Sequence, residues 1–600
     1  MTSQFKPLTI PPGVVAQATK KMGSTNYSEV NMVRWVEGQL TPIGGQTRYD
    51  FQFASKCKAI HGWYDVGETY HIAYLCESNL YVDTGGALLD ITPVGMVAPV
   101  PPTTGGYGDG NYSEDVLATA DMAWDAGGPI AVVSGAIQVG MAVYNQTQKD
   151  YVGVVLDYDG AVVTLDPADP DGPGAAGFAG DILNFDWYGG PRALGSDAAI
   201  DRLPDAYSLS NFGAILLAMT SADQRLMAWD PASDPGTIAA PVVAADGKGE
   251  VPQGRCFVVT QERFVQIFGA FDSINGGGFR RFAWCEQEDY TNWAYEDLTT
   301  QCGFIDIEPS SPIVTAISTR SGVLFWTGKK AYRSRYLGTP YVYNYEELGD
   351  NCTPWSPQSM ANTTSMVLWF SQQGPYSYDG TSILPVQCMV RAWIDDDIDL
   401  LQVRQQACAV HVENFNEFWW FYPQNGMTQN TRAGIYNYKE GWWGQARMAR
   451  SAGITASYTS HTIMANGLVS YEHENGNVYN DCDLPWIETF DLTLDQGFHL
   501  TTVKQLIPDI EGAISNVLYS LFYRNSRSQG IVERQTAPKI VRPDGYVDFR
   551  TTGRDIRLRI DLAAPPGVII DKANNIQSDG RVRPVTVGQH LIDSAPRGDR

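Results

Sequence analysis

The stretch FNEFWWFYP, Phe415 to Pro423, has six aromatic residues in nine, with Asn416 and Glu417 as its polar members. As an extended strand it turns Phe415, Glu417, Trp419 and Phe421 to one side and Asn416, Phe418, Trp420 and Tyr422 to the other. A strand with one wet face alternates rings with polar groups. Rings on both faces fit a strand held between two packed neighbours, such as adjacent blades of a β-propeller, with Asn416 and Glu417 left to keep the run soluble. A sugar-binding platform is the competing reading.

Outward from this stretch, one shape recurs: an aromatic–polar alternation, a turn with Asp, Gly or Pro, then a short apolar strand. It appears as NLYVDTGGALLDITP (Asn79–Pro93), RLMAWDPASDPGTIAAP (Arg225–Pro241), GPYSYDGTSILPVQC (Gly374–Cys388) and AGIYNYKEGWWGQAR (Ala433–Arg447). Each reads as the outer hairpin of a blade. Between them lie apolar strands of an inner type: ERFVQIFGAF (Glu262–Phe271), GVLFWTGKKAYRSRYL (Gly322–Leu337) and MVLWFSQQ (Met366–Gln373). A spacing of about 50–60 residues suits propeller blades. The expectation is an all-β chain: a degenerate β-propeller of six or seven blades, with unrelated hairpins in a sandwich as the alternative. Only DDDIDLLQVRQQACAV (Asp395–Val410) predicts one or two short helices.

Two regions break the repeat. Residues 92–190 hold one basic residue, Lys149, against thirteen acidic ones, and neither Cys nor His. Their alternating core, Ile137–Pro167, predicts a small inserted β-barrel or β-sandwich. Residues 485–600 keep the alternation and read as a C-terminal β-sandwich-like region. From Leu521 on, fourteen basic residues face nine acidic ones, a basic end suited to an acidic partner or an identical neighbour. The divisions are then 1–91 (N-terminal segment and first propeller strands), 92–190 (insertion), 191–484 (main propeller) and 485–600.

The formal charge is −25 over 600 residues, so the chain is a poor general clamp for nucleic acid. The nine cysteines form no C-x-x-C and are odd in number, which fits reduced, mostly buried thiols made in a cytoplasm. The start lacks the apolar core of a signal peptide, and no run is long and apolar enough to span a membrane.

Chemistry-bearing motifs are weak. No two of the seven histidines have zinc spacing; His473 in YEHENG sits between glutamates on a turn-like segment. P-loop, G-x-S-x-G and kinase signatures are absent. CEQEDYTNW (Cys285–Trp293) ends in a Thr-x-Trp that resembles the Asp-box turn of sialidase-like propellers, without its early Ser and Gly. DPADPDG (Asp166–Gly172) has calcium-like acid spacing but two prolines and no Glu in register. DDDID (Asp395–Asp399) reads as a solvated or helix-starting run. No catalytic, cofactor or metal residues are assigned, and the expectation is that the chain is not an enzyme.

The N-terminal stretch PPGVVAQATKKMGSTNYSEVNMVRWVEGQLTPIGGQTRYD (Pro11–Asp50) resembles the opening of tail nozzle proteins of short-tailed bacteriophages, also called tubular tail or packaged-DNA stabilisation proteins. The matching motif residues include Asn31, Arg34, Trp35, Gly38, Gly44 and Gly45. AWCEQEDYTNW (with Trp284 and Trp293), YRSRYLGTPYVYNYEELGDNC (ending at Cys352), FNEFWWFYP (with Trp419 and Trp420) and YNYKEGWW (with Trp442) follow in the family's order over residues 11–450. The resemblance implies a structural virion protein built on a β-propeller and made in the host cytoplasm. It implies a hexameric ring below the portal and adaptor, tail fibres or a tail tip distally, and double-stranded genomic DNA leaving through the channel. It implies no cofactor and leaves the channel-lining residues unassigned. The alternative is a receptor- or glycan-binding tail propeller, with or without glycan degradation.

Overall fold

The computed structural model describes residues 4–16, 26–99 and 203–596 apart from 234–235, 298, 309–310, 364, 455–460, 493, 495–499, 526–532 and 572–575; between 100 and 202 it describes six strands. Seven four-stranded antiparallel sheets form the blades of a β-propeller. Their innermost strands, in chain order, are Cys57–Tyr64, Tyr207–Phe212, Cys256–Val259, Ile313–Thr319, Met360–Asn362, Cys408–Val412 and Ala452–Gly453, and define blades 1 to 7. The four hairpins read as outer from the sequence are the outer pairs of blades 1, 2, 5 and 6.

Closure joins distant parts of the chain. Blade 7 takes three strands from Ala452–His473 and its outermost from Gln46–Gln52, pairing His473 with Gln46 and Val469 with Gln52. A parallel bridge between Ile60 and Ile454 ties blade 1 to blade 7. Opening the ring therefore means breaking a ladder, which protects a repeat protein's end edges.

The apolar strands read as inner from the sequence are instead the second strands, among them Val265–Phe268, Gly322–Thr327, Val367–Ser371 and Glu417–Pro423. A second strand has hydrogen-bonded neighbours on both edges and packed blades on both faces, so it is the driest position. All seven residues of Glu417–Pro423 are buried. Trp420 stacks on Phe370 of blade 5 with ring centres 4.0 Å apart, while Trp419 meets His473 of blade 7 edge-on. Rings on both faces are thus inter-blade core.

Residues 1–91 divide at Gly44–Gly45. Before that point, Gln4–Leu8, Tyr27–Asn31, Val33–Val36 and Gln39–Pro42 pair with strands between Trp486 and Pro596 into three further sheets. Tyr27, for instance, pairs with Thr489. The C-terminal β region is therefore completed by the N-terminus, a pairing that local periodicity does not reveal. Some of its bases are engaged internally: Arg524 bonds Asp491 and Asp555 at 2.7 and 2.8 Å, Arg557 bonds Glu488 and Glu533, and Arg559 bonds Asp561.

Residues 100–203 form a separate compact unit. Its strands close into a six-stranded barrel in the order Leu117–Ala120, Gly127–Ser134, Val162–Leu165, Asp150–Tyr158, Ala142–Asn145, Ile182–Asp186. DPADPDG lies outside the described residues.

Candidate functional site

Seven of the twelve motif residues meet where the N-terminal strands cross blades 6 and 7, and an eighth, Gly38, forms the turn of the hairpin that brings them there. The hairpin Val33–Val36/Gln39–Pro42 turns through Glu37 and Gly38, both at positive φ, as a two-residue hairpin turn requires. That turn aims Arg34 inward. Its Nε and Nη2 donate to the two carboxylate oxygens of Glu417 at 2.9 and 3.1 Å, and Nη2 lies 2.7 Å from Glu474. The guanidinium also covers the Phe415 ring at 3.4 Å. Trp419 Nε1 donates to Glu417 at 2.8 Å. Burial raises the Glu417 carboxyl, and Arg34 is the first of the groups that pull it back. Glu417, read from the sequence as a solubilising residue, is fully buried and is the hub of this junction.

The neighbouring motif residues complete the lock. Asn31 donates to the carbonyls of Asp483 and Leu484 and accepts from the Arg447 backbone N–H. Trp35 packs edge-on against Trp442 at 5.1 Å. Gly44 and Gly45 permit close approach: a Cβ on Gly44 would stand 2.5 Å from Glu474 Oε2, and one on Gly45 2.7 Å from the Val478 nitrogen. The remaining motif residues lie elsewhere. Trp284 and Trp293 donate to Gln301 and Tyr290 carbonyls in blade 3, Cys352 is a buried thiol whose carbonyl accepts from Trp369, and Trp420 faces blade 5. These residues hold the fold; none of these contacts leaves a reactive group open.

The acid candidates are also engaged. In CEQEDYTNW, Glu286 accepts from the Gln301 N–H and Asp289 from Thr291, so the segment is a bonded turn. In DDDID, Asp395 pairs with Arg391, Asp397 with Arg432, and Asp399 caps the following turn. His473 accepts from Arg450 Nε at 2.9 Å, and burial holds it well below the ordinary histidine range. Among the described residues no group of three His, Cys, Asp or Glu could hold a metal ion, and no helix is long and apolar enough to cross a membrane.

Sequence reading missed one mouth of the propeller axis. The connector from blade 5 to blade 6 carries two short helices, α1 (Arg391–Asp397) and α2 (Val403–Gln406). From α2, Gln405 accepts the Asp205 N–H just before blade 2, while its carbonyl accepts from Lys58 of blade 1. Gln406 Oε1 accepts from both Lys56 and Lys58. Gln358, before blade 5, donates to the Tyr207 carbonyl of blade 2 on the far side of the ring. This mouth is bridged by side chains.

No family model and no curated protein matches the chain. Solved structures that match include a gluconolactonase from Xanthomonas campestris, at 7% identity over 78% of this chain and 97% of the other, TM-score 0.26. A mutant of Trypanosoma rangeli sialidase displaying trans-sialidase activity matches at 7% identity over 65% and 91%, TM-score 0.23. A glycoside hydrolase matches at 11% over 64% and 84%, TM-score 0.19. The expectation that the chain is not an enzyme is corrected by these matches, which are enzymes. At this similarity they transfer no particular reaction to it.

Proposed function

We propose that the chain is a subunit of a short-tailed bacteriophage tail, assembled as a nozzle ring through which packaged DNA leaves. One observation carries the reading: resemblance residues some 400 positions apart in sequence, Arg34 and Trp35 against Trp419 and Trp442, are gathered into one junction. Most of the resemblance residues gathered at one interlocked junction support a shared architecture over scattered coincidence. The bridged axial mouth adds a constraint. DNA passes between copies arranged in a ring, not along the axis of one propeller. Net acidity suits a wall past which DNA slides. A head-to-tail interface that closes supplies such a ring. Light scattering on the purified protein, alone and with portal or adaptor, tests this: a discrete closed oligomer is expected, and monomers under every condition contradict it.

A second reading is a receptor- or glycan-binding propeller. The carbohydrate-acting names among the matched structures lean toward it more than toward the nozzle. It predicts retention of the protein on host surface polysaccharide, and sugar release if it is also a hydrolase. Neither binding nor release across host glycans would exclude it.

A further inference from the structure

The bridged mouth contains two lysines whose ammonium groups share one neutral acceptor, Gln406 Oε1. Several buried or half-buried bases of the described propeller meet carboxylates, Arg34 with Glu417 and Glu474, Arg281 with Asp306 and Arg432 with Asp397, while buried Arg450 bonds His473 and the Ala449 and Asn480 carbonyls. Lys56 and Lys58 instead converge on one neutral oxygen, Gln406 Oε1. Lys58 has in addition the Gln405 carbonyl at 3.2 Å and an ion pair with Glu77 at 3.5 Å, with Asp205 also acting on it. Two ammonium groups bring six N–H donors to three acceptor atoms. Burial, and then Lys58, push Lys56 down to about 7; burial lowers Lys58 as well. Lys58 is only 7% exposed, so whatever supplies further acceptors to the pair must be small.

We propose that this mouth is a binding site for a small oxyanion of the phosphate class, held by Lys56 and Lys58 against α2. The anion takes the place of the Gln406 amide oxygen between the two ammonium groups and supplies several acceptors where the amide supplies one. Gln406 then turns its N–H₂ toward the anion. Glu77 and Asp205 keep the site from becoming a general anion patch. The site is recessed among blades 1, 2 and 6, so a duplex cannot reach it.

Thermal unfolding with inorganic phosphate, against chloride at equal ionic strength, tests this at pH 6.5. Phosphate is expected to raise the midpoint of the native chain. Lys56→Met should weaken phosphate at least about tenfold, as loss of a charge-assisted hydrogen bond does, and Lys56→Arg should keep it. Gln406→Glu builds a carboxylate into the site; it should raise the midpoint without phosphate and abolish the response to it, and it serves if Lys56→Met does not fold. At pH 9 the response should shrink, because Lys56, facing Lys58, Glu77 and the Cys408 thiol, has lost its proton. A midpoint indifferent to phosphate, an equal response in Lys56→Met or in Gln406→Glu, or the same rise from a short DNA duplex overturns the proposal.

Discussion

Replacing Arg34 with Met keeps an unbranched stem and removes the cation between Glu417 and Glu474. Glu417 is fully buried and has three donors: Arg34 Nε at 2.9 Å, Arg34 Nη2 at 3.1 Å and Trp419 Nε1 at 2.8 Å. The variant leaves it only the indole. Stranding one partner of a buried ion pair costs about 3–5 kcal/mol. Because burial already raises this carboxyl, it can escape by taking up a proton, which holds the cost near the lower figure, about 3 kcal/mol. Glu474→Gln should cost about 1 kcal/mol or less, since that side chain is 18% exposed and an amide oxygen still accepts from Gly44. Replacing both partners, Arg34→Met with Glu417→Leu, removes the stranded charge and should recover most of the loss. In a chain of two compact units, unfolding midpoints by tryptophan fluorescence and proteolytic half-lives near Gly44–Gly45 are safer readouts than a two-state free energy. Arg34→Met indistinguishable from Glu474→Gln, or a double variant no better than Arg34→Met, would refute the junction.

Trp420→Ala removes the ring stacked 4.0 Å from Phe370 and should cost about 3–5 kcal/mol, read as a lowered midpoint and failed assembly; a folded, assembled variant that merely loses a ligand would restore the sugar-platform reading. A Cβ on Gly453 would stand 2.2 Å from Val410 Cγ2, so Gly453→Ala should lower the midpoint and Val410→Ala should rescue part of that loss in the double variant. His590 is buried, accepts the Asp509 N–H and is pushed down to about 4. The unfolded chain takes up its proton first, near pH 6.5, so His590's contribution is complete above that pH and is lost as pH falls toward 4, by at most about 3 kcal/mol. Midpoints across that range should slope less in His590→Asn.

Periodicity made the propeller legible because four of its outer hairpins announce themselves locally: Leu80–Thr84 and Ala87–Asp90, for one, are joined by two glycines at positive φ. The two-faced rings of Glu417–Pro423 likewise carried their packing in the sequence. What stayed hidden depends on distant pairing. Nothing near Gln46–Gln52 says that it closes blade 7, nor near Tyr27 that its partner is Thr489. Glu417 reads as soluble until Arg34, 383 residues away, is placed beside it. The axial mouth was equally illegible, since Lys56, Gln358 and Gln406 come from three connectors with no shared motif. Arg34 and Trp35 stood out by resemblance alone; their contacts with Glu417, Glu474 and Trp442 fasten the N-terminal strands to the propeller.

Cryo-electron microscopy of the purified chain with its adaptor tests the central claim most directly. The account predicts a closed ring of six copies around an axial channel wide enough for duplex DNA, with every propeller axis bridged at the Lys56–Gln406 mouth. Single propellers with no ring, or DNA density running along one propeller's own axis, would contradict it.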